Sequence, residues 1–199
     1  MFGNLFKKKA PENTSPGIVV AQLNARLQPQ HRHELEDAWE ELSKKYGLPP
    51  ICGGGTKINP DTGEVENCDV EFEVADFSDA SIEMIKGTLE SMGIPKGSTL
   101  YIHDEPVRHL NFGTQEGMAV YLNGTDLPDE TYRDSDFNFV YEEFNRLLGD
   151  QGAIMSHWQG DAETALYIYG KSFDTMKKLT AAFIETYPLC AKARVVQIA

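Results

Sequence analysis

The chain has 199 residues, of which 41 % are hydrophobic and 25 % are charged, which is enough for one large domain or two small ones with a hydrophobic core. Aspartates and glutamates (31 residues) outnumber lysines and arginines (18), so the formal net charge is −13. This balance argues against nucleic-acid binding, which requires a basic surface, and it favours a basic protein as any macromolecular partner.

Residues 1–16 predict a flexible N-terminal segment, because a short apolar and basic cluster leads into a polar stretch between two prolines. Weak contact of Phe2, Leu5 and Phe6 with an anionic membrane surface is the alternative. No apolar run is long enough for a membrane span or for the core of a secretion signal. The three cysteines form no CxxC pair, which predicts reduced thiols and a cytoplasmic protein.

Residues 17–103 predict a first domain with the element order βαββαβ. Apolar residues alternate in the expected strands and recur at helical spacing in the expected helices, and glycines and prolines separate these elements. The predicted strands are 17–27, 51–58, 65–74 and 98–103. The predicted helices are 30–46 and a second helix that Asp76 or Ser78 can cap and that Gly93 ends.

Residues 117–199 predict a second domain with the same order, joined to the first by a linker at 104–116. Its predicted strands are 117–122, 153–158, 164–169 and 193–198, and its helices begin at Asp136 and Ser172. This order is typical of the ferredoxin-like motif, an antiparallel sheet with both helices on one face. We therefore predict an α+β chain of two tandem ferredoxin-like units; one larger α+β domain with a mixed sheet is the alternative.

Acidic residues form two groups that are candidates for partner binding. In the third predicted strand, Asp69, Glu71 and Glu73 alternate with apolar residues that should face the helices, so the carboxylates should lie on the open face of the sheet. A solvated face, a docking surface for a basic partner, and a metal or catalytic site are the three interpretations. The second group lies in the acidic connection 123–136 and consists of Asp126, Asp129, Glu130 and Asp134.

Aromatic residues of the second domain form the other candidate site. Because Leu166 and Ile168 should face the helices, Tyr167 and Tyr169 should point to the open face. Together with these two, the candidate residues for a pocket or an interface are Tyr121, His157 and Trp158. So large an aromatic surface should be covered. We predict that the linker, a second copy of the chain or a partner covers it, whereas the acidic face stays in water; direct joining of the two open faces by the aromatic residues is the alternative.

No motif in the chain indicates a reaction. The run Gly53–Gly55 lacks the Lys-Ser/Thr of a phosphate loop and is interpreted as a strand entry or a bulge. No GxSxG elbow, HExxH or CxxC is present, and we expect no catalytic residue, metal site or cofactor.

The predicted function is an acidic binding protein that engages a basic protein, by analogy with bacterial inhibitor and toxin-immunity proteins. The alternative is an enzyme or small-molecule binder with a pocket between the two repeats. We expect no nucleic acid and no membrane span, and a homodimer is an open possibility.

Overall fold

The computed structural model describes residues 16–199, so the predicted N-terminal segment, apart from Pro16, lies outside the described residues. The strands are β1 (Gly17–Leu23), β2 (Ile51–Ile58), β3 (Val65–Val74), β4 (Ser98–Ile102), β5 (Arg108–Phe112), β6 (Glu116–Asn123), β7 (Gly152–Gln159), β8 (Glu163–Gly170) and β9 (Arg194–Gln197). The helices are α1 (Pro29–Tyr46), α2 (Asp79–Ser91), α3 (Asp129–Asp134), α4 (Phe137–Leu148) and α5 (Phe173–Thr186).

The strands form two antiparallel sheets, and the chain is of the α+β class. The first sheet has the order β2-β3-β1-β4-β5, and the second has the order β7-β8-β6-β9. Each arrangement is consistent with a ferredoxin-like unit. Two elements lie outside the predicted six-element order. They are β5, which extends the first sheet, and the short helix α3, which precedes α4.

Two predicted boundaries were wrong. The segment 104–116 is not a plain linker, because its residues 108–112 form β5, which pairs with β4 from Ser98↔Phe112 to Ile102↔Arg108. The first strand ends at Leu23 instead of Leu27, and residues 24–28 form a loop that leads to α1. The division into domains at 17–103 and 117–199 stays a prediction.

The first core lies between the first sheet and the helices α1 and α2. Alternate residues of β1 and β3 are buried there, and Leu35 and Trp39 of α1 pack against them. Trp39 also donates a hydrogen bond from its indole nitrogen to the carbonyl of Pro49 at 2.9 Å, so its polar atom is satisfied inside the core. Helix α1 ends at Gly47, whose φ of 69° is the left-handed cap that favours glycine.

The second core lies between the second sheet and the helices α4 and α5. Alternate residues of β6 and β8 face these helices. The buried side chains include Met118, Val120, Leu122, Leu166 and Ile168 from the strands, and Val140, Phe144 and Met176 from the helices. The prediction that Leu166 and Ile168 face the helices is therefore confirmed.

The glycine run of β2 lies beside a register shift between Ile51 and Gly53, and the space around its members differs. A Cβ atom on Gly54 would lie 2.4 Å from the guanidinium of Arg32 and 2.7 Å from the backbone oxygen of Asp69, whereas a Cβ atom on Gly55 would meet nothing within 4 Å. Because a backbone oxygen cannot move aside cheaply, only Gly54 is required by packing.

We expect Gly54→Ala to lower the free energy of unfolding by about 1–3 kcal/mol, since the new methyl group overpacks the space above α1. The neighbouring Gly55→Ala serves as the control and should be neutral or stabilising by up to about 1 kcal/mol, because it only reduces the freedom of the unfolded chain. Urea denaturation of the two variants measures the difference. Equal losses in both would contradict this account of the glycine run.

Candidate functional site

The carboxylates of β3 lie on the face of the first sheet that carries no helix. Cys68, Val70, Phe72 and Val74 are all buried in the first core, so Asp69, Glu71 and Glu73 point the other way, as predicted. Their cross-strand partners on β1 are Gln22, Val20 and Ile18. We call Asp69, Glu71 and Glu73 the β3 carboxylates.

The β3 carboxylates have no ion-pair partner within residues 16–199. The side chain of Glu71 lies over Gly53, where a Cβ atom would approach its Oε2 to 2.7 Å. One carboxylate oxygen of Asp69, Oδ1, is buried and makes no hydrogen bond to any described residue. Burial raises the pKa of Asp69, and the negative charge of Glu71 adds to this effect. The described part of the chain therefore leaves these carboxylates without an ion pair, although the charge of Arg32 acts on Asp69 from a distance.

The second acidic group lies on the connection between β6 and α4, and most of it is on α3. Asp126, Asp129, Glu130 and Asp134 are all exposed. Asp134 pairs with the neighbouring Arg133 at 2.9 Å, and Asp126 accepts a hydrogen bond of 3.4 Å from Asn123. Three of the four residues thus keep an unneutralised charge on this surface.

The three candidate tyrosines are buried, and they belong to the first core although they lie on the second sheet. Tyr167 is fully buried, and Tyr169 and Tyr121 are 5 % and 7 % exposed. The backbone N–H of Arg26, in the loop between β1 and α1, donates to the Tyr169 hydroxyl at 2.8 Å. The first half of the chain therefore covers the aromatic face. The prediction that a linker, a second copy or a partner covers it was wrong.

The carboxylate of Glu64 lies at the centre of this interface and contacts two tyrosine hydroxyls and one guanidinium. Its Oε1 accepts hydrogen bonds from the hydroxyls of Tyr121 at 2.6 Å and Tyr167 at 2.7 Å. The same oxygen forms an ion pair with the guanidinium of Arg26, which also donates to the Tyr121 hydroxyl at 2.8 Å. We call Arg26, Glu64, Tyr121 and Tyr167 the interface network.

The interface network keeps its tyrosines protonated. Burial raises the pKa of Tyr121 to about 12, and the carboxylate of Glu64 contributes to the shift. Burial and Glu64 also raise the pKa of Tyr167, and burial raises that of Tyr169. The hydroxyls of Tyr121 and Tyr167 therefore act as hydrogen-bond donors, which argues against nucleophilic or basic roles for them.

Arg26 and Glu64 are not among the site residues predicted from the sequence. Arg26 lies in a stretch that was predicted as strand, and Glu64 directly precedes β3 and looks like one of many surface acids. The one available signal was that the tyrosine hydroxyls needed a polar partner if their rings were buried.

A second polar contact joins the two halves at the start of α1. The Ser156 hydroxyl on β7 lies 3.0 Å from His31 Nδ1 and accepts a hydrogen bond of 3.3 Å from the backbone N–H of Gln28. The ring of His31 also contacts that of His157 edge-on, with 5.3 Å between the centroids. Burial, assisted by His157, lowers the pKa of His31. Ser156 is only 2 % exposed, so its hydroxyl is structural and not an accessible nucleophile.

A cleft opens beside this contact, between the turns of the two hairpins. It has a volume of about 610 Å³ and is lined by Gln28, Gln30, Asp61, Thr62, Gly63, His157, Trp158, Gln159, Gly160 and Asp161. A second cavity, of about 490 Å³, lies on the other side of His157 and Gln159. Of the five aromatic candidates, the structure places only His157 and Trp158 at the cleft.

Comparisons with known proteins do not assign a family. No protein-family model and no curated protein matches the chain. Among solved structures, it is similar to a putative monooxygenase from Fusobacterium nucleatum (11 % identity over 93 % of this chain and 92 % of the other, TM-score 0.31). It is also similar to TiaS in a complex with a transfer RNA, AMPCPP and agmatine (10 %, 84 % and 56 %, 0.33) and to the first two RRM domains of yeast poly(U)-binding protein (11 %, 91 % and 99 %, 0.25). Likenesses at these scores do not identify a function.

Membrane-spanning helices and metal-binding groups of His, Cys, Asp or Glu are both absent from residues 16–199. None of the helices there is long and apolar enough to cross a membrane. No three His, Cys, Asp or Glu residues in the same range are grouped so that they could hold a metal ion.

We expect Glu64→Ala to lower the free energy of unfolding by about 2–4 kcal/mol, because it leaves the charge of Arg26 and two buried hydroxyls without their partner. Glu66→Ala is the matched control, since its exposed pair with Lys57 is screened by water and should contribute little to stability. Urea denaturation monitored by circular dichroism measures both. If the two variants lose equal stability, the interface network does not hold the halves together.

The His31 contact should make the interface sensitive to acid. The pKa of His31 in the folded chain is below its ordinary value of 6.5. The His31 contact therefore contributes fully to the unfolding free energy above pH 6.5, and this contribution is lost as the pH falls through the folded pKa. We expect the unfolding free energy of the wild type to fall more steeply between roughly pH 7.5 and 5 than that of His31→Asn. His103→Asn, at an exposed position, should follow the wild type. Parallel curves for all three proteins would contradict a role for His31.

Proposed function

We propose that the chain is an acidic binding protein that engages a basic protein partner through the open face of its first sheet. The observation that supports this is the lack of any lysine or arginine paired with the β3 carboxylates within residues 16–199. Elsewhere in the same range, acidic residues such as Glu36, Glu116 and Glu163 have a basic neighbour. A partner that supplies lysine or arginine would neutralise the charge that the chain leaves unpaired.

The physical chemistry of this face suits recognition by charge. Neighbouring carboxylates on one strand face stand about 7 Å apart, so they repel one another and gain from a shared basic partner. With a net charge of −13, the chain should attract such a partner over a distance and raise its association rate. The members of the second acidic group that have no ion pair, Asp126, Asp129 and Glu130, would extend the attraction without forming the main contact.

We interpret the two sheets as tandem ferredoxin-like units, because each sheet is antiparallel and packs its two main helices on one face. Among acidic proteins of this size without catalytic motifs, inhibitors and bacterial toxin-immunity proteins are the class we propose. The cytoplasm is the proposed location, because three unpaired thiols suit a reducing compartment.

A second candidate function is binding of a small molecule between the two halves. The cleft of about 610 Å³ favours it, because this volume lies within the usual range for ligand pockets and the cleft opens where two units meet.

The binding surface is tested with the double variant Glu71→Gln/Glu73→Gln. We expect its affinity for an oligolysine peptide, and for basic proteins captured from a host lysate, to fall about tenfold relative to the wild type, because two charges leave the contact surface. The wild-type affinity should also fall as salt rises from roughly 0.05 to 0.3 M. Isothermal titration calorimetry measures both effects.

The control Asp174→Asn/Glu185→Gln removes the same charge from α5 and should bind as the wild type does. A third variant, Asp129→Asn/Glu130→Gln, reports on the second acidic group. Equal losses in the β3 and α5 variants would show that only net charge matters and would overturn the proposed surface. Failure of the wild type to bind any basic partner at low salt would overturn the function itself.

A further inference from the structure

The cleft between the hairpin turns has a wall from each half of the chain. Asp61, Thr62 and Gly63 come from the turn between β2 and β3, and Gln159, Gly160 and Asp161 come from the turn between β7 and β8. The start of α1 adds Gln28 and Gln30. The site is therefore complete only when the two halves pack together.

The first turn is held by its own backbone and by one asparagine. Asn59 accepts hydrogen bonds on its side-chain oxygen from the backbone N–H groups of Asp61 at 2.9 Å and Thr62 at 3.1 Å. Gly63, with a φ of 71°, closes the turn through an N–H bond of 2.8 Å to the carbonyl of Asn59. This arrangement fixes the turn without using the carboxylate of Asp61, which stays available to a ligand.

Trp158 fixes the second turn against the first. A Cβ atom on Gly160 would lie 2.2 Å from the indole Cη2, and one on Gly63 would lie 3.9 Å from the indole Nε1. The indole ring thus lies between the two turns, and the absence of a side chain at Gly160 lets it approach the backbone. The cleft therefore has an aromatic wall held by contacts with both halves.

The charge of the cleft points to a positively charged ligand. Asp61 and Asp161 stand on the two facing turns, and neither forms an ion pair or a side-chain hydrogen bond with another described residue. No lysine or arginine is among the residues that line the cleft. The net charge of −13 adds to the negative potential, because a cleft concentrates the field of the charges around it.

We propose that this cleft binds an organic cation with an ammonium or guanidinium group. The carboxylates of Asp61 and Asp161 would neutralise the charge, the indole of Trp158 would contact it through its aromatic ring, and the amide oxygens of the three glutamines would accept its N–H groups. Because the positive end of α1 forms one wall, the cationic group belongs at the turns. The inference rests on the second candidate function, small-molecule binding between the halves.

Calorimetric titration of the full chain with spermidine, argininamide, glucose and citrate tests the ligand class. We expect the two cations to bind and the neutral and anionic probes to give no saturable heat. Asp61→Asn and Asp161→Asn should each weaken the binding of the cations about tenfold. Asp174→Asn on α5 is the matched control and should bind as the wild type does. Thermal unfolding of each variant shows that it is folded.

Tryptophan fluorescence gives a second reading, because the chain has two tryptophans and Trp39 is only 1 % exposed in the first core. Spermidine should change the emission of the wild type, and Trp158→Phe should remove the change. An oligolysine peptide distinguishes a protein side chain from a free amine as the source of the cation. A free amine is the ligand if spermidine binds at the cleft and the affinity of the peptide is the same for the wild type and for Asp61→Asn.

Each outcome bears on a different claim. Binding of glucose or citrate without binding of either cation would overturn the cationic ligand and leave a small-molecule function standing. Binding of none of the four probes would overturn both. Cation binding that is equal in wild type and in the double variant Asp61→Asn/Asp161→Asn would place the cation elsewhere and overturn this site. None of these outcomes depends on Glu71 and Glu73, whose variants test the basic protein partner separately.

Discussion

The carboxylate of Glu64 is the interaction on which the joining of the two halves depends. One oxygen accepts two tyrosine hydroxyls from the second sheet and pairs with Arg26 of the first half. Buried hydroxyls without partners would oppose packing of the aromatic face, so this carboxylate makes the burial of Tyr121 and Tyr167 favourable. The two rings then pack against the apolar residues of the first core. The cleft at the hairpin turns forms because the halves are held in this orientation.

The same residue type has two different roles in this protein. Glu64 is largely enclosed, and Arg26 and two tyrosine hydroxyls contact its Oε1 and compensate for the loss of water around it. Glu71 and Glu73 lie on an open sheet face without a basic neighbour in the described range. Because water screens exposed carboxylates well, their mutual repulsion costs the fold little. That low cost allows the open face to keep a charge that a partner can use.

Turn geometry provides the remaining functional feature. The absence of a side chain at Gly160 leaves space that the indole of Trp158 fills, and the same ring contacts the other turn at Gly63, so one aromatic side chain touches two turns that are far apart in sequence. This packing leaves the carboxylates of Asp61 and Asp161 without a bond to another described residue. A rigid wall with free polar groups is the arrangement from which ligand sites are built.

Much of the fold could be predicted from the local periodicity of the sequence. The alternation in β3 correctly placed Asp69, Glu71 and Glu73 on the open face, and the pattern around Leu166 correctly turned Tyr167 away from the helices. Alternation and helical spacing depend on residues that are near in sequence, so they can be recognised there. The strand β5 was missed because it is short and follows a segment with the composition of a loop.

What covers the tyrosines was decided only by the tertiary structure. Glu64 lies 38, 57 and 103 positions from Arg26, Tyr121 and Tyr167, and no local pattern distinguishes it from the other acids of the chain. The cleft likewise joins turns that are about a hundred positions apart. Which distant polar groups meet depends on how the two sheets pack, and a sequence specifies that packing through the whole core and not through any one motif.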